Sequence, residues 1–249
     1  MIPRTIHFIW IYAGQHPSEN HLFSIKTAVL NTTCAVVLHT DDDTIKPIDG
    51  VDIRLRTFDK DVKGIVFDPD EKIEYKGAAK RVAHISDIIR CEILYDEGGI
   101  YSDMDVIWLR NPWEHWDKKV VIGFTNKSYK ILANSIIMAQ PRQAAIKQYR
   151  DWLVEIYPSK KYWIPANPYK LWKDNTDVTM VDKHVWFPIK WNAKGAVTAA
   201  DVECSIAFHE FGSMGKKDGP LYISLKKDLA RMTKRAGRKK ARKTRKALG

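Results

Sequence analysis

The stretch "SDIIRCEILYDEGGIYSDMDV", residues 86–106, carries the pattern that decides the fold of this 249-residue chain. Its first half is amphipathic, with apolar residues on one stripe at helical spacing. Ser86 precedes that stripe and is the predicted N-cap of a helix. Gly98 and Gly99 follow the stripe in the manner typical of a helix C-terminus. The first half therefore predicts a helix between Ser86 and the two glycines.

The second half continues as "IYSDMDVIWL" and predicts a strand that carries two acidic residues. Asp103 and Asp105 would share one face of this strand, because side chains two residues apart do so. Unpaired acidic side chains are among the costliest to bury. The two aspartates therefore need a solvent-facing position, a structural partner or a bound cation.

The chain before this stretch alternates strand and helix signals. "TIHFIWIY" (residues 5–12) and "CAVVLHT" (34–40) read as buried strands, and "VDIRLRTF" (51–58) as a half-exposed strand. Residues 18–30 read as a helix with Ser18 as its N-cap. Strand and helix in alternation, with polar residues after the strands, predict an open α/β sheet.

The rest of the chain gives weaker signals. Residues 120–124 and 134–140 are strand candidates, and residues 142–157 predict a helix. Residues 59–80 read as an irregular loop with a short helix, whereas the Trp- and Pro-rich residues 162–192 match no element. We find no internal repeat.

The sequence also bears on the cellular compartment of the protein. The three cysteines, Cys34, Cys91 and Cys204, are far apart and lack metal-ligand spacing, which predicts a reducing cytoplasm rather than a disulfide framework. The first ten residues lack the apolar core and cleavage site of a signal peptide. No stretch reaches the ~18 to 20 apolar residues of a membrane span.

The net charge of +11 comes from the end of the chain. Residues 226–249 contain twelve Lys or Arg residues and a single acidic residue, so the remainder is neutral. We therefore predict one domain, residues 1–225, followed by a basic tail, residues 226–249. The tail fits a solvated terminus or peripheral attachment to an anionic membrane at its inner face. Nucleic-acid binding ranks third, because the tail has no aromatic residue for base stacking.

Asp103 and Asp105 have the chemistry of a divalent-metal site. Mg²⁺ and Mn²⁺ bind through one or two carboxylates and complete their shell with phosphate oxygens and water. Such a metal neutralises a diphosphate leaving group. The alternative is a pair of solvated surface residues or turn formers, which is what most D-x-D sequences are.

Other candidate residues each have an ordinary structural interpretation. Asp87 and Arg90, three residues apart on the predicted helix, could form a surface ion pair of little energetic worth. Trp10 and Tyr12 could be core residues, and His209 a hydrogen-bonded structural histidine. The glycines around Ser213 could form a phosphate-binding turn.

In combination and order, these motifs resemble a known family. "IPRTIHFIWI", "SDIIRCEILYDEGGIYSDMDV" and "HEFGSM" resemble the DXD-motif glycosyltransferases, most closely glycosyltransferase family 32. The resemblance spans roughly residues 2–215, and the central run is its specific part. It implies a GT-A fold, a Rossmann-like nucleotide-binding α/β domain with a mostly parallel central sheet flanked by helices. Nucleotides bind at the carboxyl ends of such strands.

The resemblance also implies roles for individual residues. Trp10 would stack on the base, Asp87 would hold the ribose or donor sugar, and Arg90 would contact the sugar or diphosphate. Asn134 would lie near the donor sugar and acceptor, and Ser213 would contact a phosphate. The implied catalytic residues are Asp103, Asp105, Arg90 and Asn134. The implied metal residues are Asp105, Asp103 and His209. The implied nucleotide-sugar contacts are Trp10, Tyr12, Asp87, Arg90, Asp103, His209 and Ser213.

The implied activity is metal-dependent retaining transfer of a sugar to a hydroxyl. The cofactor would be Mn²⁺ or Mg²⁺, and the donor a UDP-sugar in preference to a GDP-sugar. A glycan, lipid-linked or protein acceptor fits, as in polysaccharide biosynthesis. Two positions depart from the family pattern: Met214 stands where tryptophan is common, and the glycine after the first strand comes late, at Gly14. The second departure bears on the contacts of Tyr12.

Two other classes of protein remain open from the residues alone. A metal-dependent nuclease or phosphohydrolase could use the acidic pair, with "DDDT" (residues 41–44) as a source of further carboxylates and the tail bound to nucleic acid. A lectin-like module could keep the fold without the chemistry. Cleavage of plain DNA would favour the nuclease, and metal-dependent hydrolysis of a nucleotide-sugar would favour the transferase over the lectin.

Overall fold

The computed structural model describes seven parts of the chain: residues 1–12, 14–58, 78–126, 128, 130–156, 167–188 and 200–209. Three predictions fall outside these parts: Ser213 with its glycine turn, the position of Met214, and the basic tail. Most of the irregular segment predicted over residues 59–80 lies outside them as well.

The fold is built on a seven-stranded sheet with the strand order β3-β2-β1-β4-β7-β6-β8. Its strands are β1 Thr5–Trp10, β2 Ala35–Thr40, β3 Val51–Leu55, β4 Gly99–Ser102, β6 Val120–Asn126, β7 Ile131–Ala139 and β8 Val178–Val181. Two further strands, β5 Val106–Trp108 and β9 Ala207–His209, form a separate antiparallel sheet.

The central sheet is mostly parallel. β1 pairs in parallel with β2 and β4, β2 with β3, and β6 with β8. Only β7 runs against its neighbours, β4 and β6. The predicted α/β class is therefore confirmed, and the carboxyl ends of β1 and β4 lie at one edge of the sheet. Trp10 ends β1, and Asp103 follows β4 directly.

Within the described residues, three longer helices and two short ones accompany the sheet: α1 Glu19–Asn31, α2 Ala78–Asp96, α3 Ala144–Ile156, α4 Tyr169–Trp172 and α5 Lys183–Trp186. Ser18 caps α1 as predicted, since its side chain accepts a hydrogen bond from the backbone N–H of His21. The prediction that α2 begins at Ser86 is wrong. The helix starts at Ala78, and Ser86 lies in its interior.

The two glycines end α2 as predicted. Gly98 and Gly99 have φ values of 68° and 96°, in the left-handed region that favours glycine. A Cβ on Gly99 would lie 2.8 Å from the backbone oxygen of Thr5. Glycine at this position therefore lets β4 begin directly against β1.

Buried apolar side chains form two clusters, one on each face of the sheet. Ile9 and Tyr101 belong to the first cluster, which also contains residues of α2 and α3. Phe8 and Ile100, their chain neighbours, belong to the second, which contains residues of α1. Alternation along the strands explains the division. Among the described helices, none is long and apolar enough to cross a membrane.

Candidate functional site

Asp103 and Asp105 lie in a turn between two sheets. The prediction that they share the face of one continuous strand is wrong, because β4 ends at Ser102 and β5 begins at Val106. The backbone N–H of Val106 donates to the carbonyl of Asp103 at 3.2 Å, which closes the turn. Ser102 pairs with Ile136 in the central sheet, whereas β5 pairs with β9. The chain therefore changes sheets at the D-x-D sequence.

Helix α1 fixes the strand that follows this turn. The Ser24 hydroxyl donates to the carbonyl of Val106, and the backbone N–H of Trp108 donates to the Thr27 hydroxyl at 3.0 Å. Both hydroxyl residues are buried. They satisfy backbone groups of β5 on the side that β9 does not cover, so the position of the turn depends on α1 as well as on β4.

His209 completes a cluster with the two aspartates. It lies opposite Val106 on β9, and its Nε2 is 3.1 Å from Asp105 Oδ1 and 3.6 Å from Asp103 Oδ2. Ligand-type atoms of the three residues all lie within 4.8 Å of one another. Burial lowers the pKa of His209, but the two carboxylates outweigh burial and raise this pKa to about 9. Over the residues that the structure describes, this is the one group of three or more His, Cys, Asp or Glu side chains that could hold a metal ion.

Arg90 lies beneath this cluster, and its pairing with Asp87 is not the surface ion pair considered from the sequence. The Arg90 side chain is only 5% exposed, and it lies 2.8 Å from Asp87 Oδ1 and 3.4 Å from Asp103 Oδ1. Burial raises the pKa of Asp103, but Arg90 outweighs burial, and His209 and Tyr101 add to its effect. The pKa of the Asp103 carboxyl is therefore lowered.

Asn134, on strand β7, contacts the Asp87–Arg90 pair of helix α2. Its backbone carbonyl accepts a hydrogen bond from Arg90 at 2.7 Å. Its side-chain amide donates to Asp87 Oδ1 at 2.8 Å and to the Tyr149 hydroxyl at 3.2 Å. Four of the predicted residues, Asp87, Arg90, Asp103 and Asn134, therefore form one hydrogen-bonded and charge-paired network.

Tyr101 and Tyr149 belong to this network and were not among the predicted site residues. The Tyr101 hydroxyl donates to Asp103 Oδ1 at 2.5 Å, and the Arg90 guanidinium lies 4.2 Å from the centre of its ring. Burial raises the pKa of both phenols well above the usual value. Tyr101 was visible in the sequence, two residues before Asp103. Tyr149 carries no local signal, because α3 brings it to the site from far along the chain.

Trp10 and Tyr12 differ in their surroundings. Trp10 is half-buried; its indole N–H donates to the carbonyl of Gln15 at 3.2 Å, and its ring centre is 4.9 Å from that of His21. Tyr12 is 45% exposed, which excludes the core position considered for it. Its backbone N–H donates to Asp41 Oδ1 at 2.6 Å.

Asp42, one of the three acidic residues after β2, is engaged by a residue of its own loop and by His16. Asp42 accepts hydrogen bonds from the backbone and hydroxyl of Thr44 at 3.0 and 2.6 Å, and it pairs with His16 at 2.7 Å. A cavity of about 800 Å³ lies beside this loop, between α1 and residues 44–50. Apolar side chains such as Leu22, Val29 and Ile45 line much of it, and none of the predicted site residues does.

Comparison with known proteins agrees with this geometry. Residues 24–127 match the family model described as a glycosyltransferase sugar-binding region containing a DXD motif. This match contains most of α1, the Asp87–Arg90 pair and the D-x-D turn. No curated protein matches the chain.

Similar solved structures are glycosyltransferases. The apo form of GlyE from Streptococcus pneumoniae TIGR4 has a TM-score of 0.52 and 8% identity, covering 88% of this chain and 56% of that one. An active-site mutant of LgtC has a TM-score of 0.50 and 10% identity, covering 90% and 95%. PaToxG glycosyltransferase has a TM-score of 0.48 and 23% identity, covering 67% and 66%. The chain thus spans just under two thirds of PaToxG glycosyltransferase and little more than half of GlyE.

The fold is the GT-A fold of glycosyltransferases such as LgtC. Its central matched region carries the sugar-binding motif with the two aspartates in place. The chain accordingly resembles the DXD-motif glycosyltransferases in its fold and in its matched region, residues 24–127.

Proposed function

We propose that the protein is a metal-dependent retaining glycosyltransferase of the family 32 type. It would move a sugar from a nucleotide-sugar, a UDP-sugar in preference to a GDP-sugar, to a hydroxyl of a glycan, lipid-linked or protein acceptor. The observation that carries the proposal is the cluster of Asp103, Asp105 and His209, whose ligand-type atoms lie within 4.8 Å of one another. It lies at the carboxyl end of β4, next to β1 with Trp10 at its end, where α/β folds bind nucleotides.

The donor atoms of this cluster fit a divalent cation. Two carboxylates suit Mg²⁺ or Mn²⁺ equally, and the imidazole of His209 favours Mn²⁺, because Mg²⁺ prefers oxygen ligands. We assign Asp105 as the direct ligand, with Asp103 and His209 beside it. A bound cation would offset the charge of the diphosphate leaving group and act as a Lewis acid.

The buried network beneath the cluster would hold the donor side in place. Arg90 has its donor groups on Asp87, Ser86 and Asn134. We therefore propose that Arg90 fixes the carboxylates of Asp87 and Asp103. Its positive charge would also stabilise the departing diphosphate. Asp87, which the Asn134 amide and Arg90 hold in place, would bind the ribose or the donor sugar.

Four further residues complete the assignment of the donor side. Trp10 would stack on the base, with Tyr12 at the rim of the same edge. Ser213, outside the described residues, would contact a phosphate. Asn134 would stand between the donor sugar and the acceptor.

The chemistry that we propose is front-face transfer with retention. The bond from the anomeric carbon to the diphosphate oxygen breaks, and the acceptor oxygen bonds to the same face of that carbon. The departing phosphate oxygen takes the acceptor proton. A covalent path would need a free carboxylate as nucleophile, whereas Asp87 is engaged by Arg90 and Asn134. Detection of a glycosyl-enzyme intermediate would contradict this path.

The domain and its tail receive separate roles in the proposal. Residues 1–225 would form the transferase domain, and the tail of residues 226–249 would contact an anionic membrane from the cytoplasm. Each basic residue near such a surface contributes about 1 kcal/mol. This contact suits an acceptor that is lipid-linked, as in polysaccharide biosynthesis.

A nuclease or phosphohydrolase is the weaker candidate. A site for two metal ions needs more carboxylates than Asp103 and Asp105 provide. The sequence offered the acidic residues of "DDDT" (41–44) for this role, and two of the three, Asp41 and Asp42, bind Tyr12, Thr44 and His16 instead. Their hydrogen bonds fix the loop after β2.

Titration of UDP and of GDP with and without Mn²⁺ tests the proposal. We expect the native protein to bind UDP more tightly than GDP, and only with the metal present. Asp105→Ala should abolish this binding, whereas Asp174→Ala, at a side chain that is 83% exposed, should leave it unchanged. Failure of the native protein to bind either nucleotide would contradict the proposed function.

A further inference from the structure

The indole of Trp10 is held from two sides, by the segment that leads into α1 and by the first turn of α1. Its N–H donates to the carbonyl of Gln15 at 3.2 Å. The ring of His21 lies against it, with ring centres 4.9 Å apart and planes at 49°. A flat side chain that is to stack on a base must be kept in one orientation, and contact between two rings provides this.

His21 itself is fixed by the cap of α1. Its Nδ1 accepts a hydrogen bond from the backbone N–H of Ser18 at 3.1 Å, and its own backbone N–H donates to the Ser18 hydroxyl at 3.4 Å. This is a capping box, in which the third helical position is ordinarily Glu or Gln. Those residues satisfy the cap equally well but offer no ring. Histidine at this position makes the cap and also places a ring against Trp10.

The D-x-D turn also acts on His21 electrostatically. Burial lowers the pKa of His21, and the Asp105 carboxylate acts in the opposite direction. The His21 imidazole thus contacts Trp10, at the end of β1, and interacts electrostatically with Asp105, just before β5. The Ser18 hydrogen bond leaves Nε2 to carry the ring proton of the neutral side chain.

We infer that His21 is a positioning residue of the donor site, which holds the Trp10 indole in the orientation on which the nucleotide base stacks. The inference rests on the proposed function for its ligand and goes beyond it in naming the residue that sets recognition of the base. It concerns recognition of the base and not of the diphosphate. Substitution of His21 should therefore weaken binding of UDP and leave binding of diphosphate unchanged.

Two substitutions separate the ring from the cap. His21→Gln keeps the capping box and removes the ring, so UDP affinity with Mn²⁺ should fall about 2- to 12-fold while the Tm is kept. His21→Phe keeps a ring and removes the acceptor for Ser18, so UDP affinity should stay within about twofold while the Tm falls by about 2 to 4 °C. Ser18→Ala is the matched control, which should lower the Tm similarly and leave UDP affinity unchanged.

Inorganic diphosphate with Mn²⁺ is the second probe. Its affinity should be the same in the native protein and all three variants, because it has no base. Unchanged UDP affinity in His21→Gln would overturn the inference, as would an equal loss of UDP and diphosphate binding.

A measurement without ligand keeps the inference separate from the proposed function. The indole ¹H–¹⁵N resonance of Trp10, assigned with Trp10→Phe, should move in His21→Gln and stay in His21→Phe. If the native protein bound no nucleotide, the proposed function would fail, and this resonance would still decide whether His21 positions Trp10. An unmoved resonance in His21→Gln would overturn the positioning role.

Discussion

Replacement of Arg90 by methionine should cost far more stability than loss of any surface ion pair. The side chain is 5% exposed and lies 2.8 and 3.4 Å from the carboxylates of Asp87 and Asp103. It also donates hydrogen bonds to the backbone carbonyls of Asn134 and Ser86. Burial opposes the charge of this guanidinium, but the acidic groups around it outweigh burial and raise its pKa. The arginine is therefore charged and fully engaged in the folded protein.

The expected cost follows from the groups left behind. Removing one partner of a buried ion pair costs about 3 to 5 kcal/mol. Asp87 and Asp103 are 14% and 26% exposed, so water relieves part of the penalty, and we expect about 3 kcal/mol. Arg90→Lys keeps a charge but loses the planar fork, and it should cost about 1 to 2 kcal/mol. Both costs are large against the ~5 to 15 kcal/mol that stabilises a typical domain.

Urea unfolding followed by circular dichroism measures these differences. The matched control is Lys119→Met, which removes a pair with Asp177 whose partners are 55% and 47% exposed. Such a surface pair is worth at most about 1 kcal/mol. If Arg90→Met cost no more than Lys119→Met, the buried network would not stabilise the fold, and our account of how the carboxylates are held would be refuted.

Three further outcomes are expected. Burial depresses the pKa values of His7 and His39 to about 4 and about 2, so the unfolded chain binds protons first as the pH falls below about 6.5. Their stabilising contribution is present above that pH and lost below it. Between pH 7.5 and 5.5, the free energy of unfolding of the native protein, measured in urea, should fall by about 2 to 3 kcal/mol more than that of a His7→Gln/His39→Gln variant. Equal losses would contradict this. Gly99→Ala should cost about 2 to 4 kcal/mol in the same assay, because its Cβ would lie 2.8 Å from a backbone oxygen at a φ of 96°. Gly14→Ala, with a φ of 79° and no atom within 4 Å, should cost only about 1 kcal/mol, so similar costs would refute the steric explanation. Tyr101→Phe removes the hydroxyl that donates to a D-x-D carboxylate at 2.5 Å and should weaken Mn²⁺ binding about 10-fold in calorimetry; native affinity would show that this hydrogen bond does not orient the ligand.

Local signals made much of the fold predictable. The first two strands are short apolar runs, Ser18 is an N-cap with its partner three residues on, and Gly98–Gly99 is a helix stop that needs positive φ values. Each signal acts within a few residues of its cause. The structure therefore agrees with them closely.

Long-range pairing limited the prediction of the site. The apolar pattern of a strand runs through the D-x-D sequence, but β5 turns away to pair with β9, about a hundred residues later. Ser86 resembles an N-cap, yet the helix extends past it toward Ala78. The burial of Arg90 depends on Asn134 and Tyr149, which other elements bring to it. Those contacts could not be predicted from the spacing of residues 86–106, because their partners lie elsewhere in the chain.

The most direct test of the proposed site is the position of manganese and nucleotide in crystals grown with MnCl₂ and UDP. We predict an anomalous manganese peak bound by Asp105, with Asp103 and His209 beside it, and the uracil stacked on Trp10. A manganese ion bound elsewhere, or UDP in the cavity between α1 and residues 44–50, would contradict the assignment of this cluster as the donor site.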